Sequence, residues 1–142
     1  MKSKIAILLV EDDEVDVMAV KRSFKLNNIT NPLYDVGDGE KALDFIHHRG
    51  EFADDQLPRP SLILLDLNMP RMGGQEFLRL LKSDPEFLDI PVVVLTSSDL
   101  PDDVKTSFRY GVAGYLVKPV TFENFAELIK ALDMYWTISE LP

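Results

Sequence analysis

The sequence predicts a doubly wound α/β sandwich, with a five-stranded parallel sheet between two layers of helices. Three observations carry that prediction: five short apolar runs, helical spacing between them, and prolines that fall at the joins. The runs are Ile5-Ala6-Ile7-Leu8-Leu9-Val10, Leu33-Tyr34-Asp35-Val36, Leu62-Ile63-Leu64-Leu65, Val92-Val93-Val94-Leu95 and Gly114-Tyr115-Leu116-Val117. Four are continuous rather than alternating, which predicts strands buried on both faces; the second is weaker. Between them, Val17, Val20 and Phe24, then Ala42, Leu43 and Ile46, then Phe77, Leu78 and Leu81 recur at helical spacing. Pro85, Pro91 and Pro101 close or open elements, and Thr121 is placed to cap a fifth helix beginning at Phe122. Strands alternating with helices require right-handed crossovers, so helices must cover both sheet faces. The connection from Gly50 to Pro60 is polar and reads as a surface loop. With no internal repeat or low-complexity segment, residues 1–142 are expected to form one domain.

Composition narrows the function. The 142 residues carry 24 Asp and Glu against 15 Lys and Arg, a formal charge of −9, and no cysteine. A disulfide scaffold, a thiolate metal site and a cysteine nucleophile are thereby excluded. The acidic balance opposes binding to nucleic-acid backbones. No apolar run approaches the roughly 20 residues of a membrane span, and Met1-Lys2-Ser3-Lys4 leading to acidic Glu11 is not expected to act as a signal peptide. The expectation is a cytoplasmic protein without membrane or nucleic-acid partners.

In a doubly wound sheet the site lies beyond the carboxyl ends of the strands, where strand order reverses. Glu11, Asp12 and Asp13 follow the first run; Asp66, Leu67 and Asn68 the third; Thr96, Ser97 and Ser98 the fourth; Lys118 and Pro119 the fifth. Carboxylates gathered from neighbouring strands repel one another and call for a cation. Oxygen ligands without His or Cys point to a hard divalent ion, and an open, partly hydrated sphere suits Mg²⁺ better than Ca²⁺. Mg²⁺ and Lys118 could together neutralise a transferred phosphoryl group, with the Thr96 hydroxyl beside it. Any one acidic residue here has a simpler reading as a helix cap, which Asp12 or Asp13 could supply; the conjunction of an acidic pair, an isolated Asp, a Thr and a Lys is what points to a site.

These motifs resemble the receiver domains of two-component response regulators. The resemblance covers essentially the whole chain and is carried by Leu8-Leu9-Val10-Glu11-Asp12-Asp13, Leu64-Leu65-Asp66-Leu67-Asn68-Met69-Pro70 with Gly73-Gly74, Val94-Leu95-Thr96-Ser97, and Gly114-Tyr115-Leu116-Val117-Lys118-Pro119. It implies a flavodoxin-like (βα)5 fold and makes Asp66 the phosphoacceptor. Glu11 and Asp12 would be the acidic pair and the Asn68 backbone carbonyl a third contact to Mg²⁺, with Asp12 and Asp66 binding the metal directly. Thr96 and Lys118 would contact the phosphoryl oxygens, and Tyr115 would be an aromatic switch. A sensor histidine kinase would donate the phosphoryl group. Tyr115 would then enter room opened by Thr96 and its loop, repacking the surface of the fourth helix, fifth strand and fifth helix for partner binding or dimerisation. Ser98 stands where the chemotaxis regulator has an acidic residue, so the phosphoryl lifetime does not carry over.

The chain ends soon after the expected fifth helix, which reads as a stand-alone receiver without an enzymatic or DNA-binding output domain. Its tail, about 134–142, holds the sole tryptophan, Trp136. Together with the Gly50–Pro60 loop and the Pro58-Arg59-Pro60 approach to the acceptor, it resembles the subgroup that partners bacterial phytochrome kinases. That subgroup implies a homodimer formed through the carboxyl-terminal region; alternatively Tyr135 and Trp136 pack on their own domain. The downstream partner is not specified by sequence.

Other residues have plain readings. Adjacent His47 and His48 cannot share a ligand face and suit a solvated helix end. Met69 and Met72 suit loop packing, and Glu14, Asp16 and Asp35 suit solvated charges. Arg71 could steer a phosphodonor, though an exposed loop arginine needs no such role. Among rival functions, an aspartyl phosphatase would want a second carboxylate where Asn68 stands. A nucleotide or flavin module would want a glycine-rich turn where Glu11-Asp12-Asp13 stands. The remaining rival is a receiver-like interaction module that acts without phosphorylation.

Overall fold

Continuous apolar runs cannot leave either side to water, so they become the strands of a sheet covered on two faces. In the computed structural model, which describes residues 5–54, 56–118 and Glu123, that sheet has five parallel strands in the order β2-β1-β3-β4-β5. The chain runs β1 (Ile7–Val10), α1 (Glu14–Leu26), β2 (Leu33–Val36), α2 (Gly39–His47), a short 3-10 turn (Gly50–Phe52), β3 (Leu62–Leu65), α3 (Gly74–Lys82), β4 (Val92–Thr96), α4 (Pro101–Arg109) and β5 (Gly114–Val117). This is the doubly wound flavodoxin-like arrangement. The expected fifth helix, its Thr121 cap and the 134–142 tail lie outside the described residues.

The period of two in each strand divides the core into two layers. Leu8, Val10, Ile63, Leu65, Val92 and Val94 pack with Phe45, Ile46, Phe77, Leu78 and Leu81 of α2 and α3. Ile7, Leu9, Leu62, Leu64, Val93 and Leu95 pack instead with Val17 and Phe24 of α1. The weak second run is a strand after all, in register with β1 from Ile7↔Leu33 to Val10↔Val36.

Two expectations need correction. β5 is not buried on both faces: its residues are half-exposed and Val117 is 42% exposed, because β5 is an edge strand paired only with β4. Nor is the Gly50–Pro60 connection simply a solvated loop. It opens with the 3-10 turn, and Phe52 and Leu57 pack against the α2–α3 layer of the core, with the Phe52 ring edge-on to Phe45 at 5.4 Å.

Helix starts follow from local chemistry. The Asp13 carboxylate accepts from the backbone amides of Val15 and Asp16, and Asp38 accepts from Lys41 N at 2.9 Å. Pro101 occupies the first turn of α4, where its missing N–H costs nothing. The α2 helix ends at His48, which takes the left-handed conformation (φ 53°).

Candidate functional site

The strand order reverses between β1 and β3, since the chain goes from β1 out to β2 and returns on the other side. The register Val10↔Leu65 then places Glu11 level with Asp66, and Asp66 N donates to Val10 O at 2.9 Å. Both carboxylates are almost fully enclosed, Glu11 at 4% exposure and Asp66 at 5%, while Asp12 opens to solvent. One oxygen from each of Glu11, Asp12 and Asp66 lies within 4.8 Å of the others. Asp13 stands apart from this group as the α1 cap, so the simple capping explanation accounts for Asp13 alone of the three.

Thr96 ends β4 fully buried, and its register with Val117 sets Lys118 immediately beyond, where Lys118 N donates to Thr96 O at 2.7 Å. The Lys118 ammonium turns back over the carboxylates. It donates to a Glu11 oxygen, lies 2.8 Å from Asp16 Oδ2 and 3.7 Å from Asp66 Oδ2. Partial burial works against this charge, but the bonds to Asp16 and Glu11 and the proximity of Asp66 outweigh it and hold the pKa above the ordinary lysine range. For Glu11 burial wins over the pull of Lys118, and the carboxyl is raised to about 7.

Around this centre the loops are tied down. Asn68 N donates to Asp66 Oδ1 at 3.2 Å and its amide reaches Thr96 Oγ1 at 3.5 Å. Tyr115 OH donates to Ser98 O at 2.8 Å, and burial raises the phenol so that it remains a donor. The β3–α3 loop closes on α2: Gly39 N donates to Met72 O at 3.0 Å, and Arg71, in the left-handed conformation (φ 62°), lies 3.5 Å from the buried Asp38 carboxylate. Met69 and Met72 pack on the core as expected of loop methionines. At the start of α3, Gly74 leaves no room for a side chain; a Cβ there would stand 2.4 Å from the Asp66 carbonyl oxygen.

Glu11, Asp12, Asp66, Asn68, Thr96 and Lys118 thus converge on one sheet edge, and Tyr115, two residues before the end of β5, joins them through its hydroxyl's bond to Ser98 O in the connection beyond β4. Asp16 is not the free solvated charge its position predicts, since it holds Lys118; Asp35 is exposed as expected and pairs at the surface with Lys21 at 2.8 Å. A signal for Asp16 existed, since it lies in the first turn of the helix that directly follows the acidic end of β1 and so stays near that end of the sheet. Asp103 and Gln75, which bond to each other at 2.9 Å beside Ser98, had no such signal. His47 does end a helix, but it packs edge-on against Phe87 at 5.0 Å and lies 3.7 Å from Asp84.

An all-oxygen cluster of three carboxylates beside one ammonium suits a hard divalent cation and a transferred anion sharing its charge. No helix among the described residues is long and apolar enough to cross a membrane. Residues 7–131 match the family profile of the response regulator receiver domain. The response regulator Rcp1 of Synechocystis is 38% identical over 130 residues, which is 92% of this chain and 87% of Rcp1. Among solved structures, the phosphorylated cyanobacterial phytochrome response regulator RcpA superposes with a TM-score of 0.83 at 33% identity, covering 99% of both chains. The Mn²⁺-bound form of Rcp1 gives 0.81 at 37% identity, covering 97% of this chain and 99% of that one. With the sheet order, the acidic edge and these likenesses in agreement, the chain belongs to the response regulator receiver family, the phosphoacceptor modules of two-component signalling.

Proposed function

We propose that Asp66 is the residue that accepts the phosphoryl group, with Mg²⁺ held by Glu11, Asp12, Asp66 and the Asn68 backbone carbonyl. The observation that carries this reading is the enclosed Asp66 carboxylate, grouped with Glu11 and Asp12 within 4.8 Å and 3.7 Å from the Lys118 ammonium. The donor set fits the ion, being hard oxygen throughout. When bound, Mg²⁺ would neutralise charge on the phosphoryl oxygens.

The chain's own residues do the rest. An Asp66 oxygen attacks phosphorus in line; the O–P bond forms as the P–N bond of a phosphohistidine breaks, and the donor imidazole recovers its electron pair and takes a proton. Lys118 and the Thr96 hydroxyl meet the phosphoryl oxygens, and Tyr115 relays the change toward α4 and β5. The work is mostly positioning, so the protein acts as a phosphoacceptor rather than as an enzyme with a separate substrate. The donor is a sensor histidine kinase, in the cytoplasm. Likeness to RcpA, a phytochrome response regulator, supports a bacterial phytochrome as that kinase. The output belongs to the same reading: a changed surface for partner binding or for dimerisation, with the homodimer formed through the carboxyl-terminal region.

The test is intact-protein mass spectrometry after incubation with acetyl phosphate and Mg²⁺, read beside size-exclusion elution. One phosphoryl adduct that is lost in Asp66→Asn and with a chelator is expected. No adduct under any condition, including from a phosphorylated kinase, would leave an interaction module that works without phosphorylation.

A further inference from the structure

We propose that Asp103 is a positioning residue that clamps the β4–α4 connection, presenting the Ser98 carbonyl to the Tyr115 hydroxyl and the Ser98 amide to Thr96. The clamp is built from both oxygens of one carboxylate. Gln75 Nε2, from the first turn of α3, donates to Asp103 Oδ1 at 2.9 Å, and the Ser98 hydroxyl donates to Asp103 Oδ2. Both are charge-assisted bonds, stronger than their neutral counterparts. Asp103 itself sits in the first turn of α4, where a negative charge is favoured, and its carbonyl accepts from the buried Ser107 hydroxyl at 2.8 Å.

Every polar group of Ser98 is engaged. Its hydroxyl bonds Asp103 and also accepts from Leu100 N at 3.4 Å; its amide donates to Thr96 Oγ1 at 3.4 Å; its carbonyl accepts from Tyr115 OH at 2.8 Å. Fixing the hydroxyl therefore fixes the residue whose amide meets Thr96 and whose carbonyl meets Tyr115. The other arm ends at Gln75, the residue after Gly74, whose backbone packs against the Asp66 carbonyl. One carboxylate thus joins the start of α3, at the back of the acidic edge, to the connection that leads into α4. The consequence for phosphotransfer rests on the roles proposed for Asp66 and Thr96; the effect on Tyr115 does not.

The experiment labels the full chain with 3-fluorotyrosine and follows the Tyr115 ¹⁹F resonance, assigned by its loss in Tyr115→Phe among the four tyrosines. It compares Asp103→Ala, Asp103→Asn and Gln75→Ala, with Asp102→Ala as the control for helix-end charge. In the protein without phosphodonor, Asp103→Ala and Gln75→Ala are expected to shift and broaden the Tyr115 resonance. Asp103→Asn, which keeps one acceptor and one donor for the same two partners, is expected to restore most of it, and Asp102→Ala to leave it in place. With acetyl phosphate, adduct formation is expected to slow about fivefold in Asp103→Ala at an unchanged half-saturating Mg²⁺ concentration. An unmoved Tyr115 resonance in both Asp103→Ala and Gln75→Ala, or an equal shift from Asp102→Ala, would overturn the clamp. A moved resonance in a protein that forms no adduct at all would instead sink the Asp66 reading and leave the clamp standing.

Discussion

Lys118 is docked on Asp16 more closely than on Asp66: its ammonium lies 2.8 Å from the α1 carboxylate and 3.7 Å from the proposed acceptor. A phosphoryl group on Asp66 must draw the ammonium from this partner. The Asp16 side chain is 37% exposed, so solvent weakens the pair and its worth is at most about 1 kcal/mol. Asp16→Asn is therefore expected to speed phosphoryl uptake from acetyl phosphate by up to about fivefold. Quenched-flow mass spectrometry reads this rate, and a slower variant would show that Asp16 aims Lys118 rather than competing for it.

Gly74→Ala is expected to destabilise the fold by about 1–3 kcal/mol or more, because overpacking is costly where neither side can yield. The added Cβ would meet the Asp66 carbonyl oxygen at 2.4 Å and Leu67 Cα at 2.7 Å, both backbone. Urea denaturation gives the loss. The same displacement moves Asp66, so the adduct yield of the still-folded fraction should fall too, which an unaltered yield would contradict.

Divalent ion should stabilise the native chain, since the unfolded chain does not gather Glu11, Asp12 and Asp66. At a hundredfold excess over its dissociation constant the gain is about 2.7 kcal/mol. Differential scanning calorimetry should show Tm rising with Mg²⁺ in the wild type and hardly at all in Asp12→Ala. An equal rise in both would place the ion elsewhere.

The enclosed Glu11 makes the chelator-treated protein sensitive to pH. Its carboxyl is raised from 4.5 to about 7, chiefly by burial, against Lys118 and with Asp66 adding to the rise. The folded chain then holds this proton more tightly than the unfolded chain, so its contribution is fully present below about 4.5 and is lost as pH rises through about 7. Urea midpoints in EDTA should fall between pH 5 and 7.5 in the wild type by more than in Glu11→Gln, whose amide stays neutral. Parallel profiles would refute the assignment to Glu11.

Much of the architecture was written in local pattern. The runs at 33–36, 62–65 and 114–117 are strands β2, β3 and β5 residue for residue, and Val17, Phe24, Ala42, Ile46, Phe77 and Leu81 are buried as their spacing requires. Once alternation made the sheet parallel, Glu11, Asp66, Thr96 and Lys118 had to share an edge, because parallel strands bring all their carboxyl ends to the same side.

Tertiary structure decided which side chains pair across that edge and which strand is left at the border. Local periodicity reports whether a residue faces in or out, but not which distant residue it meets. Lys118 and Asp16 are 102 positions apart, and Gln75 and Asp103 are 28 apart. Their meeting depends on how α1, α3 and α4 are set against the sheet. The half-exposure of β5 likewise follows from its place at the end of the order β2-β1-β3-β4-β5, not from its own apolar residues. The sequence by itself determined the elements and the chemistry at their tips; packing of the crossovers decided the partners, because charge pairs form only where the chain's long connections bring them within a few ångströms.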